Sequence, residues 1–497
     1  MPLECRNYID GQWVQSVSGR TYENRNPANP DELIAIHQKS NAEDVDRAMK
    51  AARAAQKQWA LVPAPKRGEL MFKVGDILKR RKEEIARDMT REMGKVIAET
   101  RGDVQEAIDM AFYAAGEGRR CFGQTVPAEM PDKFAMSVRV PVGIISAITP
   151  WNFPMAIPSW KSLPAIVVGN AVVIKPATLT PLSVIHFAEV FEEAGLPHGV
   201  FNVVTGSGAE IGDDMVTHKE VNLISFTGST KIGTDISVTA AKRMKRVCLE
   251  MGGKNAIMVM DDAKLDLALE GALWGGFGTT GQRCTATSRV IVHRDVAQEF
   301  ADRFVAAAKK LKLGDGLDPN VQVGPTVSEG QLETVHSYAE IGKAEGAELL
   351  LGGKRYTGPG CEKGCFYEPT IFFNVKRDMR IAREEIFGPV VSIIVVDDLD
   401  EAIDICNDTD YGLSGAIYTQ DVNRAFAAMR GVHTGIFYVN APTIGAEIQL
   451  PFGGTKGTGN GHREAGTAAL DVFCEWKSVY IDFSGKLQRA QIDDFEA

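Results

Sequence analysis

Hydrophobic residues in the first quarter of the chain recur at helical spacing among charged residues. Within the segment 66–119 they fall three or four positions apart, for example at Leu70, Val74, Ile77 and Leu78. The segment 42–62 is likewise rich in Ala, Glu, Lys and Arg. One apolar face is typical of helices that pack on a larger core, so both segments are predicted to be helical.

From about residue 143 the pattern changes to short apolar runs that alternate with amphipathic stretches. The runs predict strands at 143–150, 171–176, 201–206, 223–228 and 246–251. The stretches between them predict helices at 155–168, 181–194 and 230–242. Strands that are apolar throughout are typical of a parallel sheet covered by helices on both faces.

A second series of the same kind begins after Gly253. It predicts strands at 256–260, 289–293, 391–396, 415–419 and 435–439, with helices near 264–276, 297–312 and 422–430. We therefore expect a second α/β domain, with Gly252 and Gly253 as the hinge between the two. The alternating stretches 134–140 and 472–483 fit neither series. Strands outside both sheets predict a small β-ribbon that pairs across subunits.

Composition and charge narrow the class of protein. At 497 residues the chain is long enough for two to four domains. With a net charge of −10 and no long basic run, neither a nucleic acid nor a membrane is an expected partner.

No export or transit signal begins the chain, and no apolar stretch could span a bilayer. Eight cysteines in so long a chain suggest a reduced, cytoplasmic protein. The pair Cys361 and Cys365 lacks further ligands at zinc spacing, so no metal site is predicted.

Candidate chemistry begins with Cys284, in the run Gly-Gln-Arg-Cys-Thr. A neighbouring Arg and backbone N–H groups favour a thiolate, which is a nucleophile, although most free cysteines are small core residues. Glu250, in Leu-Glu-Met-Gly-Gly-Lys-Asn, could activate that thiol, or a water that later breaks a thioester. Together they suggest covalent catalysis at a carbonyl carbon.

The ends of the first strands carry a possible phosphate site. Strand 223–228 runs directly into a helix through Gly228, Ser229 and, one turn later, Gly233. Such a helix start favours pyrophosphate, although an ordinary Ser-capped helix has the same pattern. Lys175 adds a cation at the end of a neighbouring strand. Asn152, held between two prolines, could stabilise an oxyanion or simply cap its own turn.

Seven motifs occur in order along the chain: Pro-Trp-Asn-Phe-Pro (150–154), Lys-Pro-Ala (175–177), Phe-Thr-Gly-Ser-Thr (226–230), Leu-Glu-Met-Gly-Gly-Lys-Asn (249–255), Gly-Gln-Arg-Cys-Thr (281–285), Glu-Glu-Ile-Phe-Gly-Pro-Val (384–390) and Pro-Phe-Gly-Gly (451–454). With them the chain closely resembles the NAD(P)-dependent aldehyde dehydrogenase superfamily over nearly its whole length. The resemblance implies an α/β fold of two Rossmann-like three-layer domains plus a β-ribbon for oligomerisation. The implied spans are 1–118 and 141–251 for the cofactor-binding domain, 252–450 for the catalytic domain, and 119–140 and 470–485 for the ribbon.

The resemblance also implies roles for individual residues. Cys284 would attack the aldehyde, Asn152 would hold the oxyanion, and Glu250 would activate the water that hydrolyses the thioester. Lys161 and Glu464 match positions with proton-relay roles in the family, or they form a structural ion pair. The implied contacts of NAD or NADP are Trp151, Asn152, Lys175, Pro176, Ala177, Thr178, Gly228, Ser229, Gly233, Met251, Glu385 and Phe387.

Two positions depart from the family's usual pattern. Many NAD-preferring members carry Glu where this chain has Thr178. Without that carboxylate a 2′-phosphate is not repelled, so we expect NADP to be tolerated. The second departure is His462, at a position where Gly is common, and nothing in the sequence explains it.

The substrate is expected to be a small semialdehyde that bears a carboxylate. Segments near Glu106 and Gly445 are similar to aminoadipate-semialdehyde dehydrogenases, and segments near Gly116 and Thr285 are similar to 2-oxoglutarate-semialdehyde dehydrogenases. Arg283 could meet the substrate carboxylate, or it could be solvated. Tyr113 and Glu106 are further candidate contacts. A homodimer or homotetramer is expected.

Other functions remain open at this point. A general aliphatic or aromatic aldehyde dehydrogenase has the same motifs. A CoA-acylating enzyme generally lacks the carboxylate that Glu250 supplies. A structural protein that lost catalysis would not need both Cys284 and Glu250, and a cysteine hydrolase would not need Lys175 or Glu385.

Overall fold

The computed structural model of the protein describes residues 2–492 and places them in five β-sheets with flanking helices. In chain order the strands β1 to β22 are Leu3–Glu4, Asn7–Ile9, Gln12–Val14, Thr21–Asn26, Asn29–Gln38, Gln124–Pro127, Lys133–Pro141, Ile144–Ile148, Ala171–Lys175, Phe201–Val203, Leu223–Thr227, Arg246–Glu250, Asn255–Val259, Thr287–His293, Glu348–Leu351, Thr370–Phe373, Val390–Val396, Tyr411–Gly412, Ser414–Tyr418, Ile436–Val439, Thr455–Lys456 and Cys474–Asp482. The helices α1 to α14 are Ala42–Trp59, Ala64–Met93, Ile97–Glu117, Ala156–Val167, Leu182–Ala194, Gly208–Thr217, Thr230–Ala241, Leu265–Phe277, Arg294–Ala308, Glu329–Ala344, Arg380–Arg383, Leu399–Asn407, Val422–Gly431 and Ala468–Phe473.

The predicted helical region is confirmed, but the segment 66–119 forms two helices. α2 ends at Gly94, which adopts a left-handed conformation with φ of 91°. A Cβ at this position would lie 2.6 Å from Pro325, so the chain turns here where only glycine fits. α3 then packs along α2 and carries residues toward the functional site.

The first large sheet has the order β12-β11-β8-β9-β10-β2-β3. Its five strands from β8 to β12 are parallel, as their apolar sequences predict. The amino-terminal hairpin β2–β3 extends it as antiparallel strands, which the sequence pattern did not indicate. Helix α6 was also missed, because its amphipathic stretch is only ten residues long.

The second large sheet has the order β15-β16-β17-β14-β13-β19-β20 and is parallel except for β15. The five strands predicted for this domain are present. The unpredicted elements β15, β16, α10 and α12 lie in or beside the same sheet. Residues 251–254 connect the two large sheets, at the position predicted for a hinge. The chain thus has two Rossmann-like three-layer domains.

The two stretches outside both sheets pair with each other. β22 runs antiparallel to β7 over nine residue pairs, and β6 pairs with the other side of β7. The predicted ribbon therefore forms within one chain, and its pairing across subunits stays a prediction. The chain returns through α14 to the end of β7, where Cys474 pairs with Pro141, and this brings segments over 300 positions apart into register. Among residues 2–492, no helix is both long and apolar enough to cross a membrane.

Candidate functional site

Two cavities meet at Cys284, between the two large domains. The first, which we call the inner cavity, has a volume of about 110 Å³ and is lined by Cys284, Glu250, Glu464 and Arg283 among others. The second, the middle cavity, has a volume of about 220 Å³ and is lined by Cys284 together with Asn152 and Glu385. The thiol is therefore accessible from both sides.

A third, larger cleft continues the middle cavity along the first sheet. This outer cleft has a volume of about 690 Å³ and shares Trp151, Gly228 and Ser229 with the middle cavity. It lies beyond the carboxyl ends of β8, β9 and β11, where ligands bind in open parallel sheets. Because neighbouring spaces share lining residues, the three form one continuous passage from the inner cavity to the outer cleft.

A tight turn before Cys284 and hydrogen bonds to the carbonyls of Cys284 and Ala286 fix the backbone around the thiol. In this turn Thr279 and Thr280 have left-handed φ values of 51° and 57°. The side-chain amide of Asn255 donates to the carbonyl oxygen of Cys284 at 2.7 Å and to that of Ala286 at 2.9 Å. The N–H groups of Cys284 and Thr285 point toward the thiol.

The surroundings of Cys284 keep its thiol protonated in the ligand-free chain. Desolvation, with the nearby carboxyl groups of Glu385 and Glu250, raises the pKa of the thiol to about 12. The expectation that Arg283 stabilises a thiolate is wrong, because its guanidinium turns away and pairs with Glu99 at 3.1 Å. A base is needed to activate this nucleophile.

Glu250, the last residue of β12, supplies an unpaired carboxyl group in the inner cavity. It is 3% exposed, and neither of its carboxyl oxygens has a hydrogen-bond partner within the described chain. Burial and the neighbouring Glu464 raise its pKa well above the usual range. The backbone here is fixed, because the N–H of Met251 donates to the carbonyl of Thr458 at 2.7 Å. A buried carboxyl group left without partners is free to exchange protons with a ligand or water.

Lys161 and Glu464 are paired behind that carboxyl group. The Lys161 ammonium, fully buried on α4, contacts the Glu464 carboxylate and also donates to the hydroxyl of Ser225 at 3.0 Å. Glu464 lines the inner cavity together with Glu250, whereas Lys161 lies beneath it. The structure therefore brings together all three carboxyl and ammonium groups predicted at this site.

Asn152 and Trp151 lie on the opposite wall, in the turn after β8. Asn152 is 3% exposed, and within residues 2–492 its side-chain amide makes no hydrogen bond, so it can donate into the middle cavity. Trp151 meets Phe387 edge to face, with ring centroids 5.2 Å apart. Phe387 has a left-handed φ of 57°, and Gln331, a residue that sequence reasoning missed, donates to its carbonyl at 2.9 Å.

Glu385 reaches the middle cavity beside the link between the domains. Its carboxylate accepts the N–H of Gly253 at 2.9 Å, and burial raises its pKa to about 7. A Cβ at Gly252 would lie 2.3 Å from the same carboxylate. The two glycines of the link therefore allow this side chain to lie against the backbone.

The outer cleft is lined by some of the predicted residues but not by all. Lys175 lines it with Ala177 and Thr178, and its ammonium donates to the carbonyls of Pro176 at 3.0 Å and Gly206 at 3.3 Å. Burial lowers the pKa of Lys175 to about 8. Pro176 lines none of the three spaces. Gly233 does not line them either, since it packs where a Cβ would lie 2.4 Å from the sulfur of Met251.

Only some of the candidate substrate contacts line the inner cavity. Arg283 and Glu106 line the inner cavity, whereas Tyr113 packs against the first-domain core and does not reach it. Desolvation and Asp103 raise the pKa of Glu106 to about 8, so its carboxyl group is largely protonated at neutral pH. Gly445 and Ala446 close one end of the cavity.

The rest of the inner cavity is an apolar wall that sequence reasoning did not identify. Its side chains are Phe153, Ile157, Trp160, Leu413 and Phe452. Trp160 and Phe452 meet edge to face at 5.0 Å. These residues come from three distant segments. Phe153 and Phe452 lie in motifs singled out in the sequence, but nothing local showed that they would meet in one wall. Among the described residues, no group of His, Cys, Asp and Glu could hold a metal ion.

Comparison with known proteins agrees with this geometry. Residues 13–479 match the sequence model of the aldehyde dehydrogenase family. The chain is 43% identical over 475 residues to an alpha-ketoglutaric semialdehyde dehydrogenase of Bacillus subtilis, covering 96% of this chain and 97% of the relative. It is 44% identical over 479 residues to an alpha-ketoglutarate semialdehyde dehydrogenase of Haloferax volcanii, covering 96% and 99%.

A solved structure has the same fold over almost the entire chain. The betaine aldehyde dehydrogenase of Staphylococcus aureus, crystallised with NAD⁺, superposes with a TM-score of 0.95 at 36% identity, covering 98% of this chain and 96% of that one. The family match, the relatives and the fold all extend over both domains and the ribbon. The chain belongs to the aldehyde dehydrogenase family.

Proposed function

We propose that the protein oxidises a small, carboxylate-bearing semialdehyde to the corresponding acid with NAD(P)⁺, through a thioester on Cys284. The observation that carries this proposal is the position of Cys284 at the junction of two cavities. The unpaired carboxyl group of Glu250 lies on one side of it, and the free amide of Asn152 lies on the other. Nucleophile, base and oxyanion donor then converge on one reacting carbon.

The chemistry begins with removal of the thiol proton. Glu250 in its ionised form accepts that proton, its own having first left toward Glu464 and Lys161, and the sulfur of Cys284 forms a bond to the aldehyde carbon. The side-chain amide of Asn152 and the backbone N–H of Cys284 stabilise the oxyanion of this thiohemiacetal, a contribution of about 10²–10³ in rate per donor. NAD(P)⁺, once bound, would supply the acceptor for the hydride that leaves the thiohemiacetal.

Hydrolysis of the thioester returns the protein to its starting state. Glu250, after passing on the thiol proton, takes a proton from water, and the hydroxide adds to the carbonyl carbon. The carbon–sulfur bond then breaks, the acid is released, and the sulfur of Cys284 regains a proton. The raised pKa of Glu250 makes it a stronger base than an exposed carboxylate once it is ionised. Glu464 and Lys161 form a route by which its proton can leave the cavity.

The cofactor site fits both NAD, whose adenosine ribose has free hydroxyl groups, and NADP, whose adenosine ribose carries a 2′-phosphate. Glu385 would accept hydrogen bonds from the hydroxyls of the nicotinamide ribose, and Phe387 would pack beside the ring. Thr178 donates to the carbonyl of Gly206 at 3.4 Å and brings no negative charge to the outer cleft. Ser229 caps α7 at the same cleft, so the helix start favours the pyrophosphate.

The substrate proposal depends on the polar end of the inner cavity. Arg283 lines it but is partly neutralised by Glu99, and the protonated carboxyl group of Glu106 can donate a hydrogen bond. An acceptor-rich end group, such as a carboxylate or an adjacent keto oxygen, fits this pair better than an alkyl chain does. The two relatives named for alpha-ketoglutarate semialdehyde support the same choice.

A panel of aldehydes tests the proposal. We expect kcat/KM for 2-oxoglutarate semialdehyde and related carboxylate-bearing semialdehydes to exceed that for aliphatic aldehydes of equal length by at least about tenfold. Each substrate is measured with NAD⁺ and with NADP⁺. If simple aliphatic or aromatic aldehydes give the higher kcat/KM, the apolar wall determines specificity and the enzyme is a general aldehyde dehydrogenase.

The same assay with and without coenzyme A separates hydrolysis from acyl transfer. We expect the free acid to be the product in both cases, because Glu250 lies beside the thioester carbon. Formation of an acyl-CoA would assign the enzyme to the CoA-acylating class.

We further infer that the ribbon of β6, β7 and β22 joins subunits in a homodimer or homotetramer. Large apolar side chains are exposed on it, namely Val126, Phe134, Trp476, Tyr480, Ile481 and Phe483. Such a surface is unusual on a monomer. Light scattering after size exclusion should give a mass of two or four chains of 54.0 kDa each. A mass of a single chain would contradict the inference.

A further inference from the structure

One carboxylate of the first domain holds the turn that precedes Cys284. Residues 278–283, which we call the nucleophile turn, belong to the second domain, whereas Glu99 lies in the first turn of α3. The two carboxylate oxygens of Glu99 accept the backbone N–H of Thr279 at 2.8 Å and 3.0 Å. The nearer oxygen also accepts a hydrogen bond from the Arg283 guanidinium at 3.1 Å. Glu99 therefore contacts the nucleophile turn near both of its ends.

The nucleophile turn needs such support because its backbone is strained. Thr279 and Thr280 both have left-handed φ values, which β-branched residues rarely adopt. Both residues are nearly fully buried, so their polar groups must be paired within the protein. Thr280 and Gln282 hydrogen-bond residues 324–327 of the second domain. In the described part of the chain, the hydrogen bonds from this turn to the first domain all end on Glu99.

Arg283 continues the contact to the opposite wall of the site. Its Nε donates to the hydroxyl of Thr279 at 2.9 Å, while its guanidinium lies 5.5 Å from the centre of the Phe153 ring. Phe153 directly follows Asn152, the candidate oxyanion donor. A short series of contacts therefore connects Glu99 and the nucleophile turn to the turn that carries Asn152.

The reaction proposed above depends on this connection because its groups come from different domains. Cys284 belongs to the second domain, whereas Asn152 and Glu250 belong to the first, and all three line the two cavities that meet at the thiol. A displacement of about 1 Å between reacting groups can lower the rate by about 10²-fold. A first-domain carboxylate on the nucleophile turn would fix the distance between these groups.

We propose that Glu99 is a positioning residue for Cys284, which holds the nucleophile turn against the first domain. Glu99 lines none of the three cavities, so it acts through the turn and not on the substrate or the cofactor. The side chains of Glu99 and Arg283 are 13% and 12% exposed, unlike those of an ordinary surface ion pair. The proposal rests on the function proposed above, because the placement of the thiol affects turnover only if Cys284 is the nucleophile.

The Glu99→Ala variant removes the hydrogen bonds to Thr279 and Arg283 together. We expect kcat to fall at least about tenfold with the preferred aldehyde. KM for the cofactor should change less than about twofold, because no residue of the outer cleft is altered. Iodoacetamide should alkylate Cys284 at least about threefold faster than in the parent, since a loosened turn admits water to a thiol that burial keeps protonated. Slower turnover with faster alkylation is the signature of a displaced thiol.

Two further variants separate positioning from other effects of the substitution. Glu99→Gln keeps an oxygen for the N–H of Thr279 but removes the charge, so kcat and the alkylation rate of Cys284 should stay within about threefold of the parent. Glu83→Ala is the matched control, because it removes another Glu–Arg contact of α3. The Glu83 carboxylate accepts two hydrogen bonds from Arg101, both at 2.8 Å, on the exposed surface. This variant should retain the parent values of both quantities.

Peptide mapping after alkylation and digestion with trypsin distinguishes a local change from unfolding. Cys284 lies on peptide 284–289, and Cys248, fully buried in β12, lies on peptide 247–254. Cys248 should stay unlabelled in every variant. Labelling of Cys248 in Glu99→Ala would mean that Glu99 supports the whole domain, and it would overturn the proposal.

The kinetic outcomes decide the proposal in the same way. A parent-like kcat in Glu99→Ala, or equal losses in Glu99→Ala and Glu99→Gln, would also overturn it. If the parent protein oxidises no aldehyde, but Glu99→Ala still speeds alkylation of Cys284 alone, the proposed function fails while the role of Glu99 in placing the thiol stands.

Discussion

At the scale of single residues, the candidate active site combines a nucleophile and a base whose pKa values are both raised by burial. Desolvation raises the pKa of Cys284 to about 12 and also raises that of Glu250. Two neutral groups cost little to bury, whereas a buried thiolate or carboxylate without a partner would be expensive. Cys284 therefore becomes a nucleophile only when its proton passes to an ionised Glu250.

Replacement of Glu250 by Gln keeps the size of the side chain but removes its ability to accept a proton. We expect steady-state kcat to fall by about 10²–10⁴, because deacylation loses its general base. A burst of NAD(P)H should remain in part, since Asn152 and Cys284 are intact. Stopped-flow absorbance at 340 nm measures both phases. Glu270→Gln, on the exposed face of α8, should leave both unchanged. Equal turnover in the two variants would mean that Glu250 is only a structural carboxyl group.

Thr178 is expected to set the tolerance for NADP⁺. The Thr178→Glu variant places a carboxylate in the outer cleft, where it would repel a 2′-phosphate and accept hydrogen bonds from ribose hydroxyls. We expect the ratio of kcat/KM for NAD⁺ to that for NADP⁺ to rise at least about tenfold. Thr178→Gln has the same length without the charge and should change the ratio much less. If Gln shifts it as much as Glu does, the effect is steric.

At the scale of elements, a partly buried charged cluster joins α2 to α5. His186 on α5 hydrogen-bonds Asp88 on α2 at 3.0 Å and Glu189 at 3.1 Å, and Arg81 on α2 contacts Glu189 at 2.7 Å. Burial alone would lower the pKa of His186, but the hydrogen bonds and charges of Asp88 and Glu189 raise it to about 9. The protonated imidazole thus holds the two helices together.

This raised pKa predicts how stability depends on pH. The contribution of His186 is fully present below its unfolded pKa of about 6.5 and is lost as pH rises through about 9, on the order of 1–3 kcal/mol. The thermal unfolding midpoint should therefore fall between pH 6.5 and 9.5 by about 2 °C more in the parent protein than in His186→Gln. Differential scanning calorimetry at both pH values measures this. Identical pH dependence in the two proteins would contradict the assignment.

At the scale of the whole molecule, the active site exists only where the two domains meet. Asn152 and Glu250 come from the first domain, whereas Cys284 and Glu385 come from the second. The link of residues 251–254 is the shortest connection between them, and its glycines let Glu385 lie against it. The position of Glu385 in the proposed cofactor site thus depends on the close contact between the second domain and this link.

Gly252→Ala tests that dependence. The new methyl group would displace the Glu385 carboxylate, which is the mobile end of a side chain, without disturbing the core. We expect KM for the cofactor to rise about tenfold with a smaller change in KM for the aldehyde. Gly330→Ala, where a Cβ would meet nothing within 4 Å, is the matched control. A tenfold rise for the aldehyde alone would place Glu385 in substrate binding instead.

The sequence by itself determined the two α/β series and the break near Gly252 and Gly253, and it predicted the candidate reactive positions Cys284, Glu250 and Asn152. Apolar runs and helical spacing are local properties, and motifs record residues whose roles are shared within a family. Other features depend on chain segments far apart in sequence. These are the pairing of β7 with β22, the ion pair that turns Arg283 toward Glu99, and the apolar wall of the inner cavity. Burial also reversed the expected state of Cys284, because solvation depends on every neighbour in space and not on the adjacent Arg alone.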